Sequence, residues 1–276
     1  MRIDGQLILV TGASSGIGAA TARLLAQQGG RVLLLARRQA VLEEVAADIA
    51  AHGGAALAYP VDLADPQAIV RTATAIENEV GTPDVLINNA GAGRWLTIQE
   101  TSAREAEQMM ALPYLAAFNL TREFLPRMLS RGSGHIVNVT SVASRLVWPG
   151  AAAYTAARMA LYGFNAALRT ELRGSGINVT LALLGSVSSE YWAHNPGSAD
   201  RLPQIAKRTP MLTTEQAAQA IVRGIEGNAR EIVRPRLFRF IFLLNTLFPG
   251  NTERVLRSGW RPVDSTRRPY LVSPEN

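Results

Sequence analysis

The sequence predicts an α/β chain built on one doubly wound parallel sheet of about seven strands flanked by helices. Two observations predict it. Short apolar runs alternate with longer amphipathic stretches as far as residue 235, the order that wraps helices around a parallel sheet. Runs such as Arg31–Ala36 (RVLLLA) and Asn178–Leu184 (NVTLALL) are apolar at successive positions, which marks strands covered on both faces. Composition permits the core this requires. Of 276 residues, 47% are hydrophobic and 18% charged, too apolar for a disordered chain.

The elements follow in order. Leu7–Val10 is a first strand, then a glycine-rich turn and a helix from about Ile17 to Gln28, ended by Gly29-Gly30. Arg31–Ala36 is the second strand, Ala40–Ala51 a helix and Ala55–Pro60 the third strand. Pro66 opens a helix to about Val80, where its missing N–H does no harm. Asp84–Asn88 is the fourth strand, Ala103 to about Arg131 a long helical region, and His135–Val139 the fifth strand. Ala152–Arg173 reads as a helix stopped by Gly174 and Gly176, and Asn178–Leu184 as the sixth strand. After an irregular segment, Ser186–Pro210, come a helix at Thr214–Gly227 and a strand at Glu231–Val233. Without an internal repeat or linker, this is one Rossmann-type domain over residues 1–235, followed by a C-terminal extension, 236–276.

Several functions are disfavoured. The chain has no cysteine, and His52, His135 and His194 lack partners at ligand spacing, so no metal site is expected. The net charge of +6 comes almost wholly from arginine, Lys207 being the only lysine. Through the first two thirds the basic residues are scattered without interleaved aromatics, so nucleic acid is not an expected partner. The first residues carry no signal-peptide pattern, and no run reaches the roughly 18–20 apolar residues that span a bilayer. A cytoplasmic location is expected.

Thr11-Gly12-Ala13-Ser14-Ser15-Gly16-Ile17-Gly18 lies between the first strand and first helix. Glycine there lets backbone approach a phosphate, and the helix N-terminus offers free N–H groups. With this TGxxxGxG spacing, the chain resembles the short-chain dehydrogenase/reductase family. Asp62-Leu63 after the third strand and Asn88-Asn89-Ala90-Gly91 after the fourth match further motifs in the family's order. The resemblance implies a dinucleotide held by Gly12, Ser14, Ser15, Gly16, Ile17 and Gly18, with Asp62 and Leu63 against the adenine. Asn89, Ala90, Gly91 and Val187 would line its path to the nicotinamide, and Tyr154 and Arg158 would also bind the cofactor, Arg158 at the ribose. The second strand ends Ala36-Arg37-Arg38. A carboxylate there would accept from an NAD ribose, whereas Arg37, with Arg38 as second candidate, would pair with a 2′-phosphate. NADP(H) is the expected cofactor.

The resemblance also implies Tyr154 as catalytic acid/base and Ser141 as its partner, 154 − 141 = 13 residues earlier. A tyrosine, with an ordinary pKa near 10, needs nearby positive charge to work near neutrality. The family supplies it with lysine four residues on; here that position is Arg158. Two readings stand. Arginine serves as the cation in a chain that uses it almost everywhere, or the lysine's role is lost. Pro113 stands where the family keeps an active-site asparagine, Asn119 is too far along to replace it, and Leu184-Gly185 replaces the family's Pro-Gly.

Trp95, Leu96, Trp148, Tyr191, Trp192 and His194 are candidates for a substrate wall, which points to a hydrophobic carbonyl or alcohol substrate. Leu237–Phe248 is densely apolar and bordered by arginines, Arg234 to Arg261. It is either buried against the domain or a second subunit, or lies peripherally on a membrane. The functional expectation is an NADP(H)-dependent carbonyl reductase or alcohol dehydrogenase, homo-oligomeric by the resemblance. A non-catalytic NADP(H)-binding sensor or assembly protein is the alternative.

Overall fold

The apolar runs form a parallel sheet because only burial on both faces satisfies them. The computed structural model describes residues 1–260 except 196, 199, 200 and 208. The tail with Arg261 therefore lies outside the described residues, as do the side chains of Trp192 and His194. Strands β1 (Leu7–Thr11), β2 (Arg31–Ala36), β3 (Ala55–Pro60), β4 (Val85–Asn88), β5 (Gly134–Ser141), β6 (Ile177–Leu184) and β9 (Glu231–Arg234) make one sheet. Its order is β3-β2-β1-β4-β5-β6-β9, and every pairing is parallel.

Helices cover both faces. On one side α1 (Gly16–Gln27), α2 (Gln39–Ala51) and α9 (Thr214–Glu226) bury Leu25, Leu42 and Ile221 against Ile8, Val10 and Leu34. On the other, α3 (Pro66–Glu79), α5 (Ala116–Arg131) and α6 (Ala152–Glu171) bury Ile69, Phe124 and Leu168 against Leu9, Leu33 and Ile136. Residues of β1 thus alternate between the two cores, as the pleat requires. The order reverses between β1 and β4, and at such a point parallel sheets open a crevice at their C-terminal edge.

Two segments differ from expectation. The helical region from Ala103 is interrupted: α4 (Ala103–Met110) and α5 are joined by a π-helical turn, Ala111–Leu115, with Pro113 buried inside it. Proline has no N–H for an α-helical bond and its ring crowds the carbonyl one turn back, so the backbone widens there. The segment expected to be irregular contains β7 (Val187–Ser188), paired with β8 (Leu212–Thr213), and two single turns, α7 (Tyr191–His194) and α8 (Gln204–Lys207). The chain then ends in α10 (Leu237–Leu247) and α11 (Pro249–Arg257). Phe238 and Phe242 of α10 are buried with Leu146, Trp148 and Val233.

His135 of β5 is fully buried, with Nε2 2.8 Å from Thr180 Oγ1. Thr180 donates its own proton to the Ala229 carbonyl, so His135 donates through Nε2 and its Nδ1 is left without a partner. Burial lowers the His135 pKa from 6.5 to about 4. The unfolded chain takes up this proton near pH 6.5 while the folded chain resists to about pH 4, so stability falls across that window as pH drops. The loss from this residue should be on the order of 2–3 kcal/mol. Urea unfolding at pH 7.5 and 4.5 should therefore show a flatter pH dependence for His135→Gln than for the parent. Equal slopes would refute it.

Candidate active site

At the reversal point, Thr11 ties the ends of β1 and β4 together. Its Oγ1 accepts from the N–H groups of Asn89 and Ala90 at 2.8 Å each and donates to Ile87 O at 3.3 Å. Asn89 Nδ2 in turn donates to Thr11 O at 2.9 Å. Gly12 (φ +65°) and Gly16 (φ +54°) take left-handed conformations that favour glycine. A Cβ on Gly18 would stand 2.2 Å from Gly12 O, so no larger residue fits. Ser15 caps α1 without a side-chain hydrogen bond, which leaves the first-turn N–H groups to an outside acceptor.

This edge opens into a cavity of about 230 Å³. It gathers ten of the residues predicted for cofactor binding and catalysis, Gly12, Ser15, Ile17, Asn89, Ala90, Gly91, Ser141, Tyr154, Arg158 and Val187, and three predicted for the substrate wall, Trp95, Trp148 and Tyr191. Ser14, Gly16 and Gly18 shape the turn behind it. Arg37 and Arg38 follow β2, both exposed and with no ion pair among the described residues. Asp62 is exposed and accepts from Ala64 N, while the Leu63 side chain is buried with Val61 and Ile69. These four stand along the same strand edge but outside the cavity.

On α6, Tyr154 and Arg158 are four residues apart and so share a face. The Arg158 guanidinium carbon lies 4.9 Å from the Tyr154 ring centroid, within cation–π range. Gly91 makes room for it: a Cβ there would be 2.8 Å from Arg158 Nη2. Arg158 is only 7% exposed, its Nε has no hydrogen-bond partner, and no carboxylate pairs with it among the described residues. A buried cation in that state calls for acceptor oxygens from elsewhere. Ser141 Oγ ends β5 and accepts from Ala143 N at 3.1 Å, so its own proton remains to be given. A phenol, a hydroxyl donor and a fixed cation thus meet at one cavity, a set able to move a proton to or from an oxygen. Neither Pro113 nor Asn119 lines it.

Much of the remaining lining is apolar. Trp95 stacks obliquely on Tyr154 (6.0 Å) and on Trp148 (6.3 Å), and Val142, Leu202, Ala206 and Phe238 complete the surface. Leu96 is buried but does not reach the cavity. Phe238 was not foreseen, because its segment reads in sequence as a separate extension; Gly185 admits it, since a Cβ there would meet Phe238 Cε2 at 3.0 Å. Leu202 and Ala206 carry no sequence signal beyond being apolar in a polar stretch. Tyr191, in α7, donates its hydroxyl to Gly93 O. Burial pushes the Tyr191 pKa up, helped by the charge of Tyr154 and opposed by Arg158, so it stays a donor. Trp95 N donates to Ser198 Oγ (3.2 Å), and Arg201 pairs with Glu100 at 2.6 Å. The Arg201 hydrogen bond, against burial, holds the Glu100 pKa near 2. Three polar links thus fasten the segment after β6 to the loop after β4.

Comparison with known proteins agrees with this fold. A family model described as short chain dehydrogenase matches residues 6–197. An oxidoreductase of Mycobacterium tuberculosis is 36% identical over 263 residues, spanning 92% of this chain and 73% of the relative. A fatty acyl-CoA reductase of Acinetobacter baylyi is 35% identical over 84% of this chain and 76% of its own, and a ketoacyl reductase of Nostoc is 30% identical over 92% and 89%. Among solved structures, a metagenomic short-chain oxidoreductase in complex with NADP superposes with TM-score 0.70 at 32% identity, covering 84% of this chain and 98% of the other. The chain belongs to the short-chain dehydrogenase/reductase family, oxidoreductases of CH–OH and C=O groups.

The contact between Gly91 and Arg158 is testable without substrate. Gly91→Ala should lower stability by about 1 kcal/mol or less, because what it meets is the movable end of Arg158, and Arg158→Lys in the same chain should recover part of it. Strictly additive effects in thermal unfolding would show that the two do not touch.

Proposed function

We propose that this chain is an NADP(H)-dependent carbonyl reductase or alcohol dehydrogenase acting on a hydrophobic substrate, with Tyr154 as acid/base. The observation that carries the reading is the buried Arg158 guanidinium beside Tyr154, short of acceptors and facing the cavity. Ribose hydroxyls of a dinucleotide supply such acceptors. When bound, the cofactor supplies or receives the hydride at the substrate carbon. Gly12, Ser14, Ser15, Gly16, Ile17 and Gly18 would cradle its phosphates, Asp62 and Leu63 would flank the adenine, and Asn89, Ala90, Gly91 and Val187 would border the nicotinamide half. Ser141 donates to the substrate oxygen and orients it. Tyr154 passes the proton, and Arg158 stabilises the charge that develops on the phenol oxygen as the proton leaves.

Arg37 and Arg38 support NADP(H) over NAD(H): they stand exposed after β2 without a carboxylate neighbour to occupy them. The apolar wall supports a hydrophobic substrate, and two relatives are named for reduction of fatty acyl-CoA and ketoacyl groups. Exposed Leu115, Phe118 and Met159 support assembly into a homo-oligomer. No helix among the described residues is long and apolar enough to cross a membrane, which fits the cytoplasmic location proposed here.

Pro113 in place of an active-site asparagine favours the second reading, an NADP(H)-binding protein without turnover. One measurement separates the readings and a second tests the cofactor. Tyr154→Phe should cut turnover of a long-chain carbonyl panel by about 10²–10⁴-fold while leaving NADPH binding within twofold; binding without turnover in the parent would instead support the sensor. Arg37→Ala should weaken NADPH at least tenfold more than NADH, and equal losses would remove the case for NADP(H).

A further inference from the structure

The C-terminal helix carries a surface that the active site does not explain. Along α10, Leu237, Phe240, Leu243, Leu247 and the following Phe248 are each more than half exposed. At 100° per residue the four on α10 share one arc of roughly 120°, opposite the arc that sinks Phe238 and Phe242 into the protein, while Phe248 follows with non-helical backbone. Val255 of α11 is exposed as well. Apolar side chains of this size, contiguous on one face, mark a surface that is covered in use.

What borders the face identifies the cover. From residue 234 to residue 257 the charged side chains are Arg234, Arg236, Arg239, Arg254, Arg257 and a single acid, Glu253; α10 itself has no acidic residue. The guanidinium of Arg234 is crowded by its own kind, its pKa lowered by burial and then by the charges of Arg236, Arg239 and Arg223. Glu231, the nearest carboxylate on β9, is engaged by Arg145 at 3.6 Å. A two-fold contact between copies through this face would set arginines against the same arginines, with only Glu253 to answer them. An anionic surface meets both demands, because apolar side chains enter it while guanidinium groups take its charges.

We propose that α10 is an interfacial helix that docks this protein on anionic lipid bilayers, with Phe240, Leu243 and Leu247 entering the acyl region and Arg236 and Arg239 taking headgroup phosphates. The same helix turns Phe238 into the wall of the active-site cavity. Docking would therefore bring a lipid-soluble substrate close to the site, a consequence that rests on the function proposed above; the docking itself does not.

Vesicle co-sedimentation of the full chain tests it, with circular dichroism and thermal unfolding as an independent check that each variant is folded. The protein should sediment with phosphatidylglycerol vesicles at 50 mM salt, release by at least tenfold at 500 mM, and ignore pure phosphatidylcholine. The double variants Phe240→Glu/Leu243→Glu and Arg236→Glu/Arg239→Glu should each lose tenfold or more of the binding and keep the parent's cooperative thermal transition. Absence of binding to phosphatidylglycerol, or binding unchanged in both variants, overturns the proposal. So does sedimentation velocity showing that Phe240→Glu/Leu243→Glu splits an oligomer while the parent leaves vesicles alone, since the cover is then a second copy.

Discussion

A parallel sheet covered by helices on both faces leaves polar chemistry one place to go. Within the sheet, residues such as Ile8, Leu9, Leu34 and Ile87 are sealed from water, and an unpaired polar group among them would be costly. The groups that need water or a ligand therefore gather at the C-terminal strand ends, and the reversal between β1 and β4 opens the gap there. Thr11, Asn89, Ser141 and Val187 all follow from that one constraint, although they come from four separate parts of the chain. His135 shows the reverse case. It is a polar residue inside the sheet, tolerated because Thr180 accepts its single proton.

Arg158 stands where the resemblance leads one to expect a lysine, and its setting gives the arginine a physical account. A guanidinium is broader than an ammonium and cannot be neutralised at ordinary pH. It needs space, and Gly91 provides it; it needs a π-face or acceptors, and the Tyr154 ring provides the first. The remaining Nε has no partner among the described residues. The charge is thus kept close to the phenol without being consumed by a carboxylate. Pro113 is absorbed differently, by a π-helical turn that widens the backbone where proline cannot be α-helical.

The substrate side is assembled from distant segments. Trp95 comes from the loop after β4, Trp148 from the loop before α6, Leu202 and Ala206 from the fastened segment after β6, and Phe238 from α10. The wall's apolar character is thus shared between the segment that covers the site and the helix whose other face is exposed and rimmed by arginines. One helix faces both ways.

The sequence alone determined the sheet and the glycine-rich turn after its first strand. These depend on local periodicity and on spacings within a single element, so they are legible in one dimension. Family resemblance added the later strand-end motifs, Tyr154 with Arg158 one helical turn along, and Ser141, whose distance from Tyr154 is a matter of counting. Tertiary structure decided what depends on approach between remote segments. Neither the clearance at Gly91, the entry of Phe238 beside Gly185, nor the links from Tyr191, Ser198 and Arg201 to the loop at residues 93–100 has a signature in neighbouring residues. The π-turn at Pro113 lies between the two cases: a proline in a helical stretch announces a disturbance, but only packing against α6 decides that it is a widened turn and not a break.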